Sequence, residues 1–172
     1  TLAALVRGAT VLDRRLMPTP PEVGSPGWFD AITELAGDWR GQYQLAGVAV
    51  TGLVRDGLWN ALNPGTLAIP PNTPLSGELA RRLNCPIVAR NDAQAAAWGE
   101  YQFGAGQQRD MAFVTVSSGI GGGIVLGGRL VEGARGLAGS LGQVQGSKGD
   151  LRLEDLASGF AMAATAGEAG LP

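Results

Sequence analysis

The pattern of apolar and polar positions changes several times along the chain, which is typical of a mixed α/β protein. Two short segments near the start, residues 1–6 and 10–17, predict strands that are joined by a turn at Arg7-Gly8. From residue 28 to residue 39, apolar side chains recur at helical spacing. This spacing predicts a helix with one buried face.

The middle of the chain continues this alternation of strands and helices. Residues 45–54 are apolar and rich in β-branched side chains, so they predict one central strand that ends in a hairpin turn at Arg55-Asp56-Gly57. Residues 75–84 predict a helix, and residues 85–89 predict a buried strand. An alanine-rich helix follows Asn91 and Asp92. The two polar residues therefore lie between a strand and a helix, where α/β proteins often bind ligands.

Two more strands are predicted beyond this helix, over residues 111–116 and 123–126. The segment between them contains Ser117, Ser118 and a run of glycines, and it matches neither a P-loop nor a dinucleotide-binding fingerprint. It can be a plain glycine-rich hairpin turn. Its backbone N–H groups and two hydroxyls can equally receive a phosphate. The pattern alone leaves both interpretations open.

Composition narrows the classes of function. The chain has 172 residues, 45% of them hydrophobic, and can bury a core. Its net charge of -2 and its lack of a basic cluster argue against nucleic-acid or membrane-surface binding, so we expect a small ligand. No stretch is typical of a membrane span or an export signal. With Cys85 as the only cysteine, no internal disulfide can form, and we expect a cytoplasmic protein.

The sequence contains no histidine. Sites built on Ser-His, Cys-His or histidine-ligated metal are therefore excluded, and one cysteine cannot supply a structural zinc tetrahedron. General acid or base chemistry at neutral pH then falls to carboxylates. Asp92 is one candidate, although Asn and Asp are also favoured residues at the start of a helix. Capping and catalysis are both consistent with the Asn-Asp pair.

Four motifs occur in a fixed order over nearly the whole chain: "VTGLVRDGLWNALNPGTL", "NDAQAAAWGEYQ", "VTVSSGIGGGIVLGGRLVEGARGLAG" and "LEDLASG". Together they resemble the ROK family of sugar kinases and related repressors. The resemblance implies an α/β, actin-like (ribonuclease H-like) fold of two lobes. Residues 1–110 would be the small α/β lobe and residues 111–172 the beginning of the large lobe. The family's first phosphate loop is incomplete at Thr1, and the chain stops at Pro172, before the large-lobe segments that hold the adenosine in the family. The chain is therefore expected to be an N-terminal fragment.

The same resemblance implies roles for individual residues. Asp92 would be the catalytic base, and Asn91 would bind sugar hydroxyls. Four residues would meet the phosphates of Mg-ATP: Ser117, Ser118, Gly119 and Gly121. Four more would border the sugar: Asn63, Ser140, Gln143 and Glu154. Asn63 before Pro64 is also a common turn former, and Glu154 also suits the first turn of a helix.

Residues 136–154 depart from the family pattern. Family kinases carry a Gly-His pair and a cysteine-rich zinc loop, whereas this stretch reads "GLAGSLGQVQGSKGDLRLE". Gln143 stands at the histidine position, Ser140 stands at the preceding sugar-contact position, and no cysteine is present. We therefore expect no zinc and a differently shaped wall on the sugar side.

The resemblance implies ATP-dependent phosphorylation of a hexose or amino sugar, with N-acetylmannosamine and its 6-hydroxyl as the expected acceptor. The expected cofactors are ATP and Mg²⁺, and the expected partners are small molecules, with a homodimer left open. Two alternatives remain at this point. One is a sugar-responsive repressor of the same family, with a helix-turn-helix ahead of the first strand. The other is a non-catalytic sugar-binding protein. If the protein is a kinase, residues 1–172 alone are expected to be inactive.

Overall fold

A computed structural model describes residues 1–19, 24–62, 69–146 and 149–168. The chain divides into two compact units, Thr1–Arg90 and Asn91–Pro172. Both units combine helices and strands, in agreement with the predicted α/β class. The division is one of compactness, so the lobe boundary expected near residue 110 stays a prediction.

The first unit begins with an antiparallel hairpin. Strands β1 (Leu2–Arg7) and β2 (Thr10–Leu16) pair from Leu2 opposite Leu16 to Arg7 opposite Thr10. Helix α1 follows over Gly24–Leu35, and a 3-10 turn over Gly37–Trp39 continues it. The helix predicted over residues 28–39 is therefore present, but its last residues are wound more tightly.

The single strand expected over residues 45–54 is wrong. Two strands stand there, β3 (Ala46–Val50) and β4 (Leu53–Arg55). Gly52 separates them, because its φ of +95° is in the left-handed region and a Cβ there would lie 2.5 Å from the main-chain oxygen of Asn60. The apolar pattern continues across this break, which is why it did not reveal it.

The predicted turn after β4 is confirmed. Asp56 and Gly57 both have positive φ, 52° and 76°, as a two-residue hairpin of type I′ requires. They join β4 to β5 (Leu58–Asn60) in an antiparallel pair. Helix α2 (Leu75–Leu83) ends at Asn84, which is left-handed, and β6 (Ile87–Asn91) pairs with β3.

The core of the first unit consists of side chains from both helices and from the strands. Leu75 and Leu79 of α2 are completely buried. They belong to a cluster that also includes Leu5, Phe29, Ala36, Trp39, Val50, Val54, Trp59, Leu83, Cys85 and Ala89. Burial of several aromatic and leucine side chains at once supplies most of the hydrophobic stabilisation of this unit.

The second unit places helix α3 (Asp92–Phe103) against a three-stranded antiparallel sheet. The strands lie in the order β7 (Met111–Val116), β8 (Ile120–Leu126) and β9 (Arg129–Leu130). The start of the second predicted strand is wrong, because β8 begins at Ile120 and not at Gly123. The glycines pair with β7, Gly121 opposite Thr115 and Gly123 opposite Phe113. The glycines at positions 121 and 122 predicted a turn, but their backbone is paired with β7 as part of the strand.

After the sheet, a 3-10 turn over Leu141–Gln143 leads to two short helices, α4 (Leu153–Ala157) and α5 (Gly159–Glu168). In the described residues, no helix has the length and apolar content needed to cross a membrane. The positions of interest for function therefore fall around α3, the β7–β8 turn and the segment that leads into α4.

Candidate active site

The start of α3 shows which of its two polar residues caps the helix. Asn91 is the N-cap, since its backbone is extended and its Oδ1 accepts the Gln94 N–H; that bond is 3.1 Å long. Asp92 is the first helical residue, and its Oδ1 accepts the N–H of Ala93 at 2.8 Å. The Asp92 side chain is exposed. The capping work is thus done by Asn91, while Asp92 presents a carboxylate to solvent.

Glycines of β8 let the first turns of α3 approach the sheet closely. A Cβ on Gly121 would lie 2.9 Å from the Cβ of Ala93, and one on Gly123 would lie 2.5 Å from the Cβ of Ala97. Gly122 faces the other side, where a Cβ would lie 2.7 Å from the oxygen of Gly139. These contacts give Gly121 a packing role, and its role toward a phosphate stays a prediction.

The turn between β7 and β8 carries the two serines. Both Ser117 and Ser118 are exposed, and the Ser117 N–H donates to the Gly119 oxygen at 2.8 Å. The main-chain oxygens of the serines accept the N–H groups of Gly159 at 2.7 Å and Phe160 at 3.4 Å. The first residues of α5 therefore hold the β7–β8 turn in place through its main-chain oxygens. The two hydroxyls remain exposed, which fits contact with a phosphate.

Glu154, at the start of α4, is hydrogen-bonded to the other end of this turn. Its Oε2 accepts the N–H of Ile120 at 3.0 Å. A Cβ on Gly119 would lie 2.5 Å from that same oxygen, so a side chain at this position would require the Glu154 carboxylate to shift. The Nε2 of Gln143 lies 3.5 Å from Glu154 Oε1. The structure thus brings together three of the predicted site residues: Gly119, Gln143 and Glu154.

Arg152 is a member of this group that the sequence analysis missed. Its Nη1 donates to Gln143 Oε1 at 3.0 Å, while its Nε and Nη2 donate to the two oxygens of Asp155 at 3.0 and 2.9 Å. The side-chain hydrogen bonds from Arg152 lower the pKa of Asp155 below its ordinary value of 3.8, so the pair is ionised at neutral pH. The three-residue spacing of Arg152 and Asp155 on one helical turn was the available signal.

Gln94 is a second residue that was missed. It is only 3% exposed, and its Nε2 donates to the oxygens of Gly136 at 3.2 Å and Ala138 at 3.1 Å. This amide joins the first turn of α3 to the loop that leads into Ser140. The motif "NDAQ" contained Gln94, but nothing in the pattern showed a partner more than 40 positions away.

The remaining predicted positions are less constrained. Ser140 is half-buried and precedes the 3-10 turn, and its main-chain oxygen accepts the Gln143 N–H at 3.0 Å. Asn63 lies outside the described residues. Within the described ranges no group of three carboxylate or cysteine side chains is placed to hold a metal ion. The exposed serine hydroxyls are a feature to which the phosphates of Mg-ATP could bind.

Residues 1–170 match the sequence profile of the ROK family. The chain belongs to the ROK family. The fold and family predicted from the four motifs are thereby confirmed, and the actin-like fold is shared with ROK sugar kinases of known structure.

Two curated relatives of this ROK chain are enzymes by name. The bifunctional enzyme NanE/NanK of Brucella melitensis is 61% identical over 172 residues, which are 99% of this chain and 33% of that enzyme. The N-acetylmannosamine kinase of Escherichia coli is 45% identical over 143 residues, which are 82% of this chain and 49% of that kinase. The chain thus spans one third to one half of the length of these relatives.

Among solved structures, a ROK family glucokinase from Streptomyces griseus superimposes with a TM-score of 0.75 and 33% identity. The match covers 92% of this ROK chain and 54% of that glucokinase. The glucokinase was crystallised in complex with glucose and AMPPNP.

Proposed function

We propose that this ROK chain is part of an ATP-dependent sugar kinase that phosphorylates N-acetylmannosamine at its 6-hydroxyl. The observation that carries the proposal is the exposed carboxylate of Asp92 on the first turn of α3, while the neighbouring Asn91 provides the cap. The name of the Escherichia relative supports the choice of sugar, and the AMPPNP bound to the Streptomyces glucokinase supports the choice of nucleotide.

Asp92 would act as the general base. Its Oδ1 accepts the Ala93 N–H, and this bond orients the carboxylate at the helix end. A sugar hydroxyl that attacks the γ-phosphate must lose its proton as the new P–O bond forms, and a positioned carboxylate can take that proton. Mg-ATP, when bound, supplies the phosphoryl group. Ser117 and Ser118, with exposed hydroxyls on the β7–β8 turn, would bind its phosphates.

The sugar would be bound by Asn91, Ser140, Gln143 and Glu154. Glu154 supports this assignment because it is half-buried and already linked to the β7–β8 turn through Ile120. A carboxylate held in this way can accept a hydrogen bond from a hydroxyl without first having to be ordered.

The test is Asp92→Asn in the complete protein that contains these residues. We expect turnover with N-acetylmannosamine to fall by roughly 10²–10⁴, the usual contribution of a general base. The melting temperature should stay unchanged, because the cap is on Asn91 and not on Asp92. Coupled ADP release, measured with N-acetylmannosamine, N-acetylglucosamine and glucose, gives the turnover.

Asp56→Asn is the matched control. Asp56 is also exposed, and its left-handed φ of 52° suits Asn as well as Asp. Near-wild-type turnover of Asp92→Asn would contradict the role of Asp92. A wild-type protein that binds the sugar but releases no ADP would overturn the kinase proposal in favour of a non-catalytic sugar-binding protein.

A further inference from the structure

We propose that Arg152 is a positioning residue that orients the amide of Gln143, so that its NH₂ group and not its oxygen is offered to the sugar. This inference rests on the proposed function in one respect only, namely that the ligand beside Gln143 and Glu154 is a sugar. The series Asp155, Arg152, Gln143 and Glu154 is called the clamp below.

The guanidinium at the centre of the clamp cannot turn freely. Two of its nitrogens bind the two oxygens of Asp155, Nε at 3.0 Å and Nη2 at 2.9 Å. The main-chain N–H of Arg152 donates to Asp155 Oδ2 as well, at 3.0 Å. A two-pronged pair of this kind fixes the plane of the guanidinium as well as its position. The third nitrogen, Nη1, is therefore held at a defined place, 3.0 Å from the side-chain oxygen of Gln143.

The chemistry of the two neighbours decides which way the Gln143 amide points. A guanidinium only donates hydrogen bonds, and an ionised carboxylate only accepts them. The amide oxygen must therefore face Arg152, and the NH₂ group must face Glu154, where Nε2 and Oε1 are 3.5 Å apart. The reverse orientation would place the NH₂ group against Nη1 and the amide oxygen against the carboxylate. Both contacts of the reversed amide would be repulsive.

The clamp reaches the proposed phosphate turn. Glu154 receives Gln143 on one oxygen and the Ile120 N–H on the other, at 3.0 Å. A side chain at position 119 would push Glu154 Oε2 away from that second contact. An NH₂ group has two N–H bonds, and Glu154 uses one of them. The second N–H is the donor available to a sugar oxygen, either a hydroxyl or the carbonyl of an N-acyl group.

Substitutions at Gln143 distinguish a donor from an acceptor at this position. Gln143→Met removes both groups, while Gln143→Glu keeps an acceptor for Arg152 but has no NH₂ group for the sugar. We expect both variants to bind N-acetylmannosamine about tenfold more weakly than the wild type, the scale of one lost hydrogen bond with some desolvation. Calorimetric titration of the complete protein with the sugar alone measures this. Wild-type affinity in Gln143→Glu would overturn the proposal, because the site would then use an acceptor.

Arg152→Met tests the positioning role itself. Without Arg152 the side-chain amide of Gln143 can rotate to the reverse orientation. The KM for the sugar should then rise about five- to tenfold, while kcat and the KM for ATP change less than about twofold. In the double variant with Gln143→Met, the second substitution should add almost nothing. Additive losses in the double variant would overturn the proposal. A fall in kcat with an unchanged KM for the sugar in Arg152→Met would overturn it as well.

Arg129→Met is the control, because Arg129 is an exposed arginine of β9 in the same unit. It should leave both constants unchanged. A wild-type protein that binds sugar without transferring phosphate would overturn the kinase proposal, and the calorimetric comparison would still decide the clamp. A wild-type protein with no sugar affinity would overturn both.

Discussion

Three consecutive glycines in β8 differ in what a side chain would meet at each of them. On the α3 face, a Cβ at Gly123 would lie 2.5 Å from the Cβ of Ala97 and 3.0 Å from the Cα of Gln94. On the opposite face, a Cβ at Gly122 would meet two main-chain oxygens within 2.7 Å. Neither the helix nor the backbone can yield by such an amount without repacking. Close packing therefore requires glycine at positions 122 and 123, whether or not a phosphate binds nearby.

Gly123→Ala should therefore destabilise the protein by about 1–3 kcal/mol, the usual cost of forcing extra atoms into a packed interior. Gly99→Ala is the matched control, because Gly99 lies inside α3 and a Cβ there would meet nothing within 4 Å. The control should be stabilised by about 0.5–1 kcal/mol, since alanine restricts the unfolded chain more than glycine does. Urea unfolding of both variants measures the difference. Equal shifts in the same direction would show that close packing at Gly123 is not limiting.

At the scale of elements, α3 is tied to a loop by one side chain. The buried amide of Gln94 donates to two oxygens of the loop that precedes Ser140, those of Gly136 and Ala138. That loop also closes on itself, since the Ala138 N–H donates to the Glu132 oxygen at 3.1 Å. The helix that presents Asp92 and the loop that presents Ser140 are thus held together by a polar contact.

Removing this contact should loosen the loop. In Gln94→Met two carbonyl oxygens lose a buried donor, and we expect a loss of stability of about 1–3 kcal/mol. Hydrogen exchange at the Gly136 and Ala138 amides should become faster, because both N–H groups bond within the loop. Gln102→Met, in the same helix at a half-buried position, should leave these two amides unchanged. Unaltered exchange in Gln94→Met would refute the tie.

Periodicity predicted the helices and most of the strands, but it failed where the backbone changed direction or continued unexpectedly. Gly52 interrupts an apolar run with a left-handed residue, which the run does not reveal. Gly121 and Gly123 sit inside a strand, although glycine usually indicates a turn. In both cases another element comes too close for a side chain, β5 at Gly52 and helix α3 at Gly121 and Gly123, and local propensity is overridden.

At the scale of the whole molecule, the family and the fold could be predicted because four motifs stand in order along the chain. The same resemblance named Gly119 as a phosphate contact and Gln143 and Glu154 as sugar contacts, but the hydrogen bond that brings Gln143 and Glu154 together was not predicted. The bond from Arg152 to Gln143 and the bonds from Gln94 could not be found in this way, because the sequence pattern does not show these partners. The partners are a side-chain oxygen 9 positions away and main-chain oxygens 42 and 44 positions away.

The whole chain also lacks the usual zinc ligands, with no histidine and one buried cysteine. Gln143, in the 3-10 turn that precedes α4, is instead hydrogen-bonded to Arg152. We expect the purified protein to carry no stoichiometric zinc in this region, and chelators to leave its melting temperature unchanged. Elemental analysis with a thermal melt in the presence of EDTA measures both. About one tightly bound zinc per chain would contradict this prediction.

Three of the seven residues of β8 are glycines, which have no side chains to specify the register of the strand against β7. Side chains normally penalise a strand that slips by one position, because the slip turns buried groups outward, but Gly121 to Gly123 look the same from either face. In β8 that safeguard is left to Val125, which is completely buried, and to Ile120, whose N–H is held by Glu154. We infer that the residues on either side of the glycines specify the register of β7 and β8. A substitution at Ile120 or Val125 would therefore make a shifted register more accessible, in addition to lowering the stability of the sheet.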